Sequence, residues 1–101
     1  MVEDTLNDAV QEDEAREDTL LEFPCDFPIK AFGPAISEFP ELVMEMVRCH
    51  APDTPDEALV CKTSSGGRYF SVTVNVRATS RAQLDEIYRM LTASELVTMA
   101  L

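Results

Sequence analysis

The sequence predicts an α+β domain in which a four-stranded antiparallel sheet carries two helices on one face. Three observations lead there: period-two runs at residues 27–32 and 68–77, helical apolar spacing after Ser37 and again after Ser80, and the resulting element order β-α-β-β-α-β.

In the first strand Phe27, Ile29 and Ala31 alternate with Pro28, Lys30 and Phe32, and the run is expected to end at the turn-forming pair Gly33-Pro34. Ser37 is placed to cap the first helix. Its apolar positions Phe39, Leu42, Val43, Met46 and Val47 recur at three and four, with Glu41, Glu45 and Arg48 outside. Pro40 is tolerated in the first turn, where its missing N–H has no intrahelical partner, and Pro52 stops the helix after His50-Ala51. The second strand is read over residues 57–63. Ser64-Ser65-Gly66-Gly67 turns it into the third, which puts Phe70, Val72, Val74 and Val76 on one face and Tyr69, Ser71, Thr73, Asn75 and Arg77 on the other.

Ser80 followed by Gln83 reads as a capping box, each side chain satisfying the other's backbone N–H, ahead of Leu84, Ile87, Tyr88 and Leu91. Asp85 and Arg89 lie four apart on the exposed side of this second helix, and Leu96, Val97, Met99 and Leu101 close the chain as a short strand. Right-handed crossovers then give a ferredoxin-like sandwich of strand order 4-1-3-2.

Charge is distributed unevenly. Of the formal −11, residues 1–20 hold eight acids against Arg16, while residues 21–101 hold eleven acids against seven bases. Residues 1–19 lack the apolar side chains to offset ordering entropy and are expected to be a solvated acidic leader, with the domain over 20–101. The excess of acid speaks against nucleic-acid and anionic-membrane partners, whose affinity comes from Lys and Arg. No apolar stretch approaches the ~20 residues that span a bilayer. Cys25, Cys49 and Cys61 are odd in number and without a C-x-x-C pair, which suits free thiols and a cytoplasmic setting.

No catalytic apparatus, cofactor site or metal site is predicted. Cys49 and His50 are adjacent, so they point about 100° apart on a helix and make no nucleophile–base pair. Cys25, Cys49, His50 and Cys61 lack short metal-ligand spacings, and the Ser64–Gly67 segment lacks the phosphate-loop pattern. The loop after the first strand has no Arg for an acylphosphatase-like cradle. Phe32 and Tyr69 lie on neighbouring strands, where bases can stack, but residues 68–74 do not carry the aromatic pattern of RNA-recognition sheets. The candidate ligand or partner residues are therefore Lys30, Phe32, Tyr69, Asn75 and Arg77 on the open sheet face, together with the Gly33-Pro34 corner. That face is read as locally basic, through Lys30, Arg77 and Lys62, on an acidic protein.

Several segments together resemble one family: Leu20-Leu21-Glu22-Phe23-Pro24, Pro40-Glu41-Leu42-Val43, Arg48-Cys49-His50-Ala51-Pro52, Ser64-Ser65-Gly66-Gly67-Arg68-Tyr69 with Ser71-Val72-Thr73-Val74-Asn75, and Val97-Thr98-Met99-Ala100-Leu101. They are similar to the YbeD-like family of small bacterial proteins of unknown function, over 20–101 and not the leader. The resemblance implies an ACT-like fold, a part in small-molecule control of metabolism with a loose link to lipoate, and no activity. By analogy with ACT domains it points to Phe32, Gly33, Pro34 and Ala35 as a ligand corner. The expected role is a non-enzymatic regulatory or adaptor module that binds a small molecule or protein, with self-association through the sheet or an edge strand. A thiol-dependent enzyme and a weak RNA binder are the alternatives.

Overall fold

Alternating residues govern the longest strand pair in the computed structural model, which describes residues 21–101; the acidic leader expected over residues 1–19 lies outside them. Strand β1 (Cys25–Pro34) pairs antiparallel with β3 (Tyr69–Ala78), from Cys25 opposite Ala78 to Pro34 opposite Tyr69. Helix α1 (Glu38–His50) follows β1, a 3₁₀ turn (Asp56–Ala58) leads into β2 (Leu59–Thr63), and α2 (Arg81–Ala93) connects β3 to β4 (Met99–Ala100). The sheet order β2-β3-β1-β4 is the predicted one.

The core lies between the sheet and the two helices. Ile29, Ala31, Val72, Val74, Val76 and Ala78 face Phe39, Val43, Met46 and Val47 from α1 and Leu84, Ile87 and Leu91 from α2. Burying side chains of this size contributes on the order of 2 kcal/mol each relative to exposure. Among the described residues, no helix lies over the opposite face of the sheet.

Four local readings change. β1 does not stop at Gly33-Pro34 but runs through it. The Ala35 N–H donates to the Arg68 carbonyl, so odd residues of β1 bond to β3 and even residues face β4. β4 reaches only Lys30 and Phe32, through Lys30 N–H to the Leu101 carbonyl and Thr98 N–H to the Phe32 carbonyl. Pro28 and Pro34 flank that reach, so neither missing N–H costs a ladder bond. Second, residues 56–58 form the 3₁₀ turn, and β2 begins at Leu59. Third, Ser37 occupies the N-cap of α1 in a helical conformation and makes no side-chain cap bond. Fourth, of the hairpin glycines only Gly67 has positive φ, at 75°, where its N–H donates to the Ser64 carbonyl.

The cap of α2 is half as predicted. The Gln83 N–H donates to Ser80 Oγ at 3.1 Å, but Gln83 Oε1 accepts from the Thr79 N–H at 2.7 Å, and its Nε2 donates to the His50 carbonyl at 2.7 Å. Asp85 pairs with Arg81 at 3.6 Å, and Arg89 with Glu86.

Tyr88 on α2 donates its phenol proton to the Leu101 carbonyl, which pins β4. Burial raises the Tyr88 pKa above the ordinary tyrosine value. The neutral phenol is the form that donates, so its stabilising contribution is fully present below about pH 10 and is lost as pH rises through the raised value. Tyr88→Phe is therefore expected to remove one tyrosinate ionisation from the alkaline absorbance titration, the one lying above the ordinary range. If the ionisation that disappears lay in the ordinary tyrosine range, Tyr88 would not be held by this contact.

Candidate functional site

Period two in β1 and β3 puts ten side chains on the uncovered face. Cross-strand neighbours are Asp26 with Arg77, Pro28 with Asn75, Lys30 with Thr73, Phe32 with Ser71 and Pro34 with Tyr69. β2 adds Val60 beside Thr73 and Lys62 beside Ser71, and β4 adds Met99 beside Phe32 and Leu101 beside Lys30. Two complete rows cross the sheet: Lys62-Ser71-Phe32-Met99 and Val60-Thr73-Lys30-Leu101.

The structure brings together Lys30, Phe32 and Tyr69. Around them it places apolar side chains that sequence reasoning did not assign to this face: Val60, Met99 and Leu101, the last two 48% and 59% exposed. An exposed apolar cluster on a sheet, rimmed by ammonium groups, is a surface suited to protein contact.

Asn75 and Arg77 lie apart from that cluster. They sit at the far end of the face, where Arg77 meets Asp26 at 3.3 Å, so Arg77 does not add free positive charge as the sequence reading expected. Both line a recess of about 540 Å³ shared with Pro52, Thr54, Thr79 and Gln83. Thr54 in that lining is held from behind by Arg48, whose Nε donates to the Thr54 carbonyl at 2.9 Å while a terminal nitrogen meets Asp56 at 2.7 Å.

Gly33 and Pro34 are not the bend between β1 and α1 that the sequence reading expected. Both lie inside β1, and Gly33 is buried toward the helices: a Cβ there would stand 2.2 Å from Phe39 Cε1 and 2.7 Å from the Leu96 carbonyl oxygen. Gly33 makes room for the Phe39 ring. The bend itself is Ala35–Ser37, with the Ile36 N–H donating to the Pro34 carbonyl.

Asp26 was missed, although the alternation Pro28, Lys30 extended by one step would have placed it. The faces of Met99 and Leu101 carry no such signal, since two paired residues show no period. Of the thiols, Cys25 is half-buried and Cys49 and Cys61 are exposed; burial pushes the Cys61 thiol up, opposite to the direction that activates a nucleophile. Among the described residues no group of three or more His, Cys, Asp and Glu is placed to hold a metal, and no helix is long and apolar enough to cross a membrane.

Residues 18–101 match the family model described as "Protein of unknown function (DUF493)". The chain belongs to this family. A UPF0250 protein of Chromobacterium violaceum is 50% identical over 82 residues, covering 81% of this chain and 92% of the relative. UPF0250 protein NE1487 of Nitrosomonas europaea is 44% identical over 85 residues, covering 84% of this chain and 98% of the relative. These relatives place the chain among the YbeD-like small bacterial proteins, as the motifs implied. Among solved structures, the solution structure of protein HP0495 from H. pylori superposes with a TM-score of 0.62 at 14% identity, covering 80% of this chain and 85% of that one. At that identity the likeness concerns the fold, which is ferredoxin-like and ACT-like. In the DUF493 domain the open face is formed by residues 26–34, 60–62, 69–77 and 99–101, all inside the matched region.

Proposed function

We propose that the chain is a non-enzymatic binding module whose open sheet face takes an acidic protein segment bearing apolar side chains. One observation carries this reading: the charge of the domain is polarised. Lys30, Lys62 and Arg77 against Asp26 leave the open face at +2, while the rest of residues 21–101 holds four bases and ten acids. The basic face also displays Val60, Tyr69, Met99 and Leu101. Carboxylates of a partner meet Lys30 and Lys62, and its apolar side chains cover the exposed cluster, so steering and burial act on the same surface.

The test is a two-dimensional NMR titration of the full chain with a synthetic peptide of alternating Glu and Leu. Shifts are expected at Lys30, Phe32, Lys62, Tyr69 and Met99, and Lys30→Glu with Phe32→Ala is expected to weaken binding about tenfold or more. Binding should weaken further as salt is raised. Shifts confined to the helices, or indifference to the substitutions, would refute the reading.

A second reading rests on the recess of about 540 Å³, a volume suited to a small metabolite. A ligand bearing both a carboxylate and an ammonium group exchanges the Arg77–Asp26 pair for its own two contacts, and ligands of that class are expected to raise the melting temperature in proportion to the logarithm of their concentration. Arg77→Ala should abolish the rise.

A further inference from the structure

We propose that two copies of this chain pair through the β2 edge, antiparallel and centred on Cys61, to form one continuous eight-stranded sheet. The inference rests on the edge, not on the open-face reading above, and the two fail separately.

β2 is an edge strand, and its bonding pattern says which groups face outward. The Ser64 N–H donates to the Tyr69 carbonyl at 2.8 Å. Antiparallel ladders alternate bonded and non-bonded residues, so Lys62 and Val60 also bond to β3, while Leu59, Cys61 and Thr63 turn away from it. The Leu59 N–H is taken by the Asp56 carbonyl. Among the described residues, what remains unpaired along the edge is the Leu59 carbonyl and both main-chain groups of Cys61 and of Thr63. Such a row is a template for another strand.

A second copy matches this row about a two-fold axis. With the axis at Cys61, the two Cys61 residues exchange both main-chain bonds, and each Thr63 N–H donates to the other copy's Leu59 carbonyl. The return bond from the Leu59 N–H to the other copy's Thr63 carbonyl is not made, because that N–H is held by Asp56, so the ladder has four main-chain bonds and each Thr63 carbonyl stays in solvent at its rim. The register also employs all five residues of β2, whereas centring on Thr63 would run Cys61 against the hairpin turn. A two-fold pairing closes on itself and does not propagate. The opposite edge offers no equivalent, since β4 has two residues.

Side chains agree with the register. On the open face each Lys62 stands opposite the other copy's Val60, so its aliphatic stem covers a side chain that is 46% exposed, and no like charges are directly opposed. On the helix face, an apolar groove of about 610 Å³ runs between α1 and β2, with Pro40, Met44 and Leu59 in its walls. Pairing sets the two grooves side by side across the axis. The two open faces become one continuous surface.

Each copy carries −11, so the copies repel at long range. Pairing therefore strengthens as salt is raised, the reverse of the salt effect expected for an acidic partner on the open face.

The experiment uses the full chain. Sedimentation equilibrium under reducing conditions is expected to show a monomer–dimer equilibrium that shifts toward dimer with added salt. The register puts the two Cys61 Cα atoms about 5.5 Å apart, inside the range a disulfide spans. Mild oxidation, run in alkaline buffer because burial raises the Cys61 thiol, should thus give a covalent dimer that survives Cys25→Ser with Cys49→Ser and is lost with Cys61→Ser. Cys61→Pro removes an outward N–H and leaves the bonds to β3 in place, and it should weaken the dimer about tenfold or more. Val60→Lys, on an exposed side chain, sets like charges opposite each other and should do the same at low salt even if the proline variant does not fold. A monomer at all concentrations up to about 1 mM, cross-links through Cys25 or Cys49, or undiminished dimer in both variants would overturn the proposal.

Discussion

A Gly33→Ala variant is expected to melt about 15 °C or more below the parent, if it folds at all. The added methyl meets two things that do not yield. Phe39 Cε1 and Cζ would lie 2.2 and 2.4 Å away, on a ring with no exposed surface, and the Leu96 carbonyl oxygen 2.7 Å away, on the backbone leading into β4. Overpacking a filled core costs about 1–3 kcal/mol, and here the opposing atoms include backbone, which puts the cost at about 3 kcal/mol or above. In a domain of this size each kcal/mol is worth roughly 4–8 °C in Tm. The glycine is required by space and not by backbone angle, since Gly67 alone has positive φ. The check is a double-mutant cycle: Phe39→Leu should destabilise the parent yet recover part of the loss in the Gly33→Ala background. Additive losses would show that the Phe39 ring is not what the glycine accommodates. Loss of binding in Gly33→Ala would consequently report folding, and says nothing about a ligand corner.

Gly33 also shows where sequence reasoning ran out. Phe70, Val72, Val74 and Val76 declare their face through period two, and Phe39, Val43, Met46 and Val47 through helical spacing, because both patterns are local consequences of backbone geometry. Strand order followed from those elements and from handedness. What was not legible depends on contacts far apart in the chain. Gly33-Pro34 has the composition of a turn, and only the short reach of β4 explains why Pro28 and Pro34 fit inside a central strand. The same short reach hid the faces of Met99 and Leu101.

The candidate face was half legible for a related reason. Lys30, Phe32 and Tyr69 were placed together because each lies in a long alternating run, and the structure keeps them together. Arg77 was counted as free charge because Asp26, one residue outside the predicted strand, had not been put opposite it. Pairing a residue with its cross-strand neighbour needs the register, and register is a property of two segments at once.

Gln83→Glu is expected to lower Tm by roughly 5–15 °C at neutral pH and by much less in acid. Gln83 divides its amide between two elements: Oε1 accepts the Thr79 N–H at the start of α2, and Nε2 donates to the His50 carbonyl at the end of α1, both at 2.7 Å. The carboxylate keeps the first bond and loses the second. It also sets a negative oxygen against a carbonyl at the electronegative end of α1. A lost bond that leaves a half-buried acceptor unpaired costs about 1–3 kcal/mol. The third position of α2 returns about 0.3–1 kcal/mol, because negative charge is favourable at a helix N-terminus. The first effect is the larger, so the variant is destabilised by about 1–2 kcal/mol. Protonation reverses the sign of the missing interaction, since the neutral acid regains a donor for the His50 carbonyl. The variant should therefore approach the parent as pH falls through the carboxyl range, near about 4, and fall behind again as pH rises. Gln83→Ala lacks both bonds and any titrating group, so its deficit should stay constant over the same interval. Parallel melting curves for the Glu and Ala variants between about pH 3.5 and 7 would mean that the two helices are not joined through this amide.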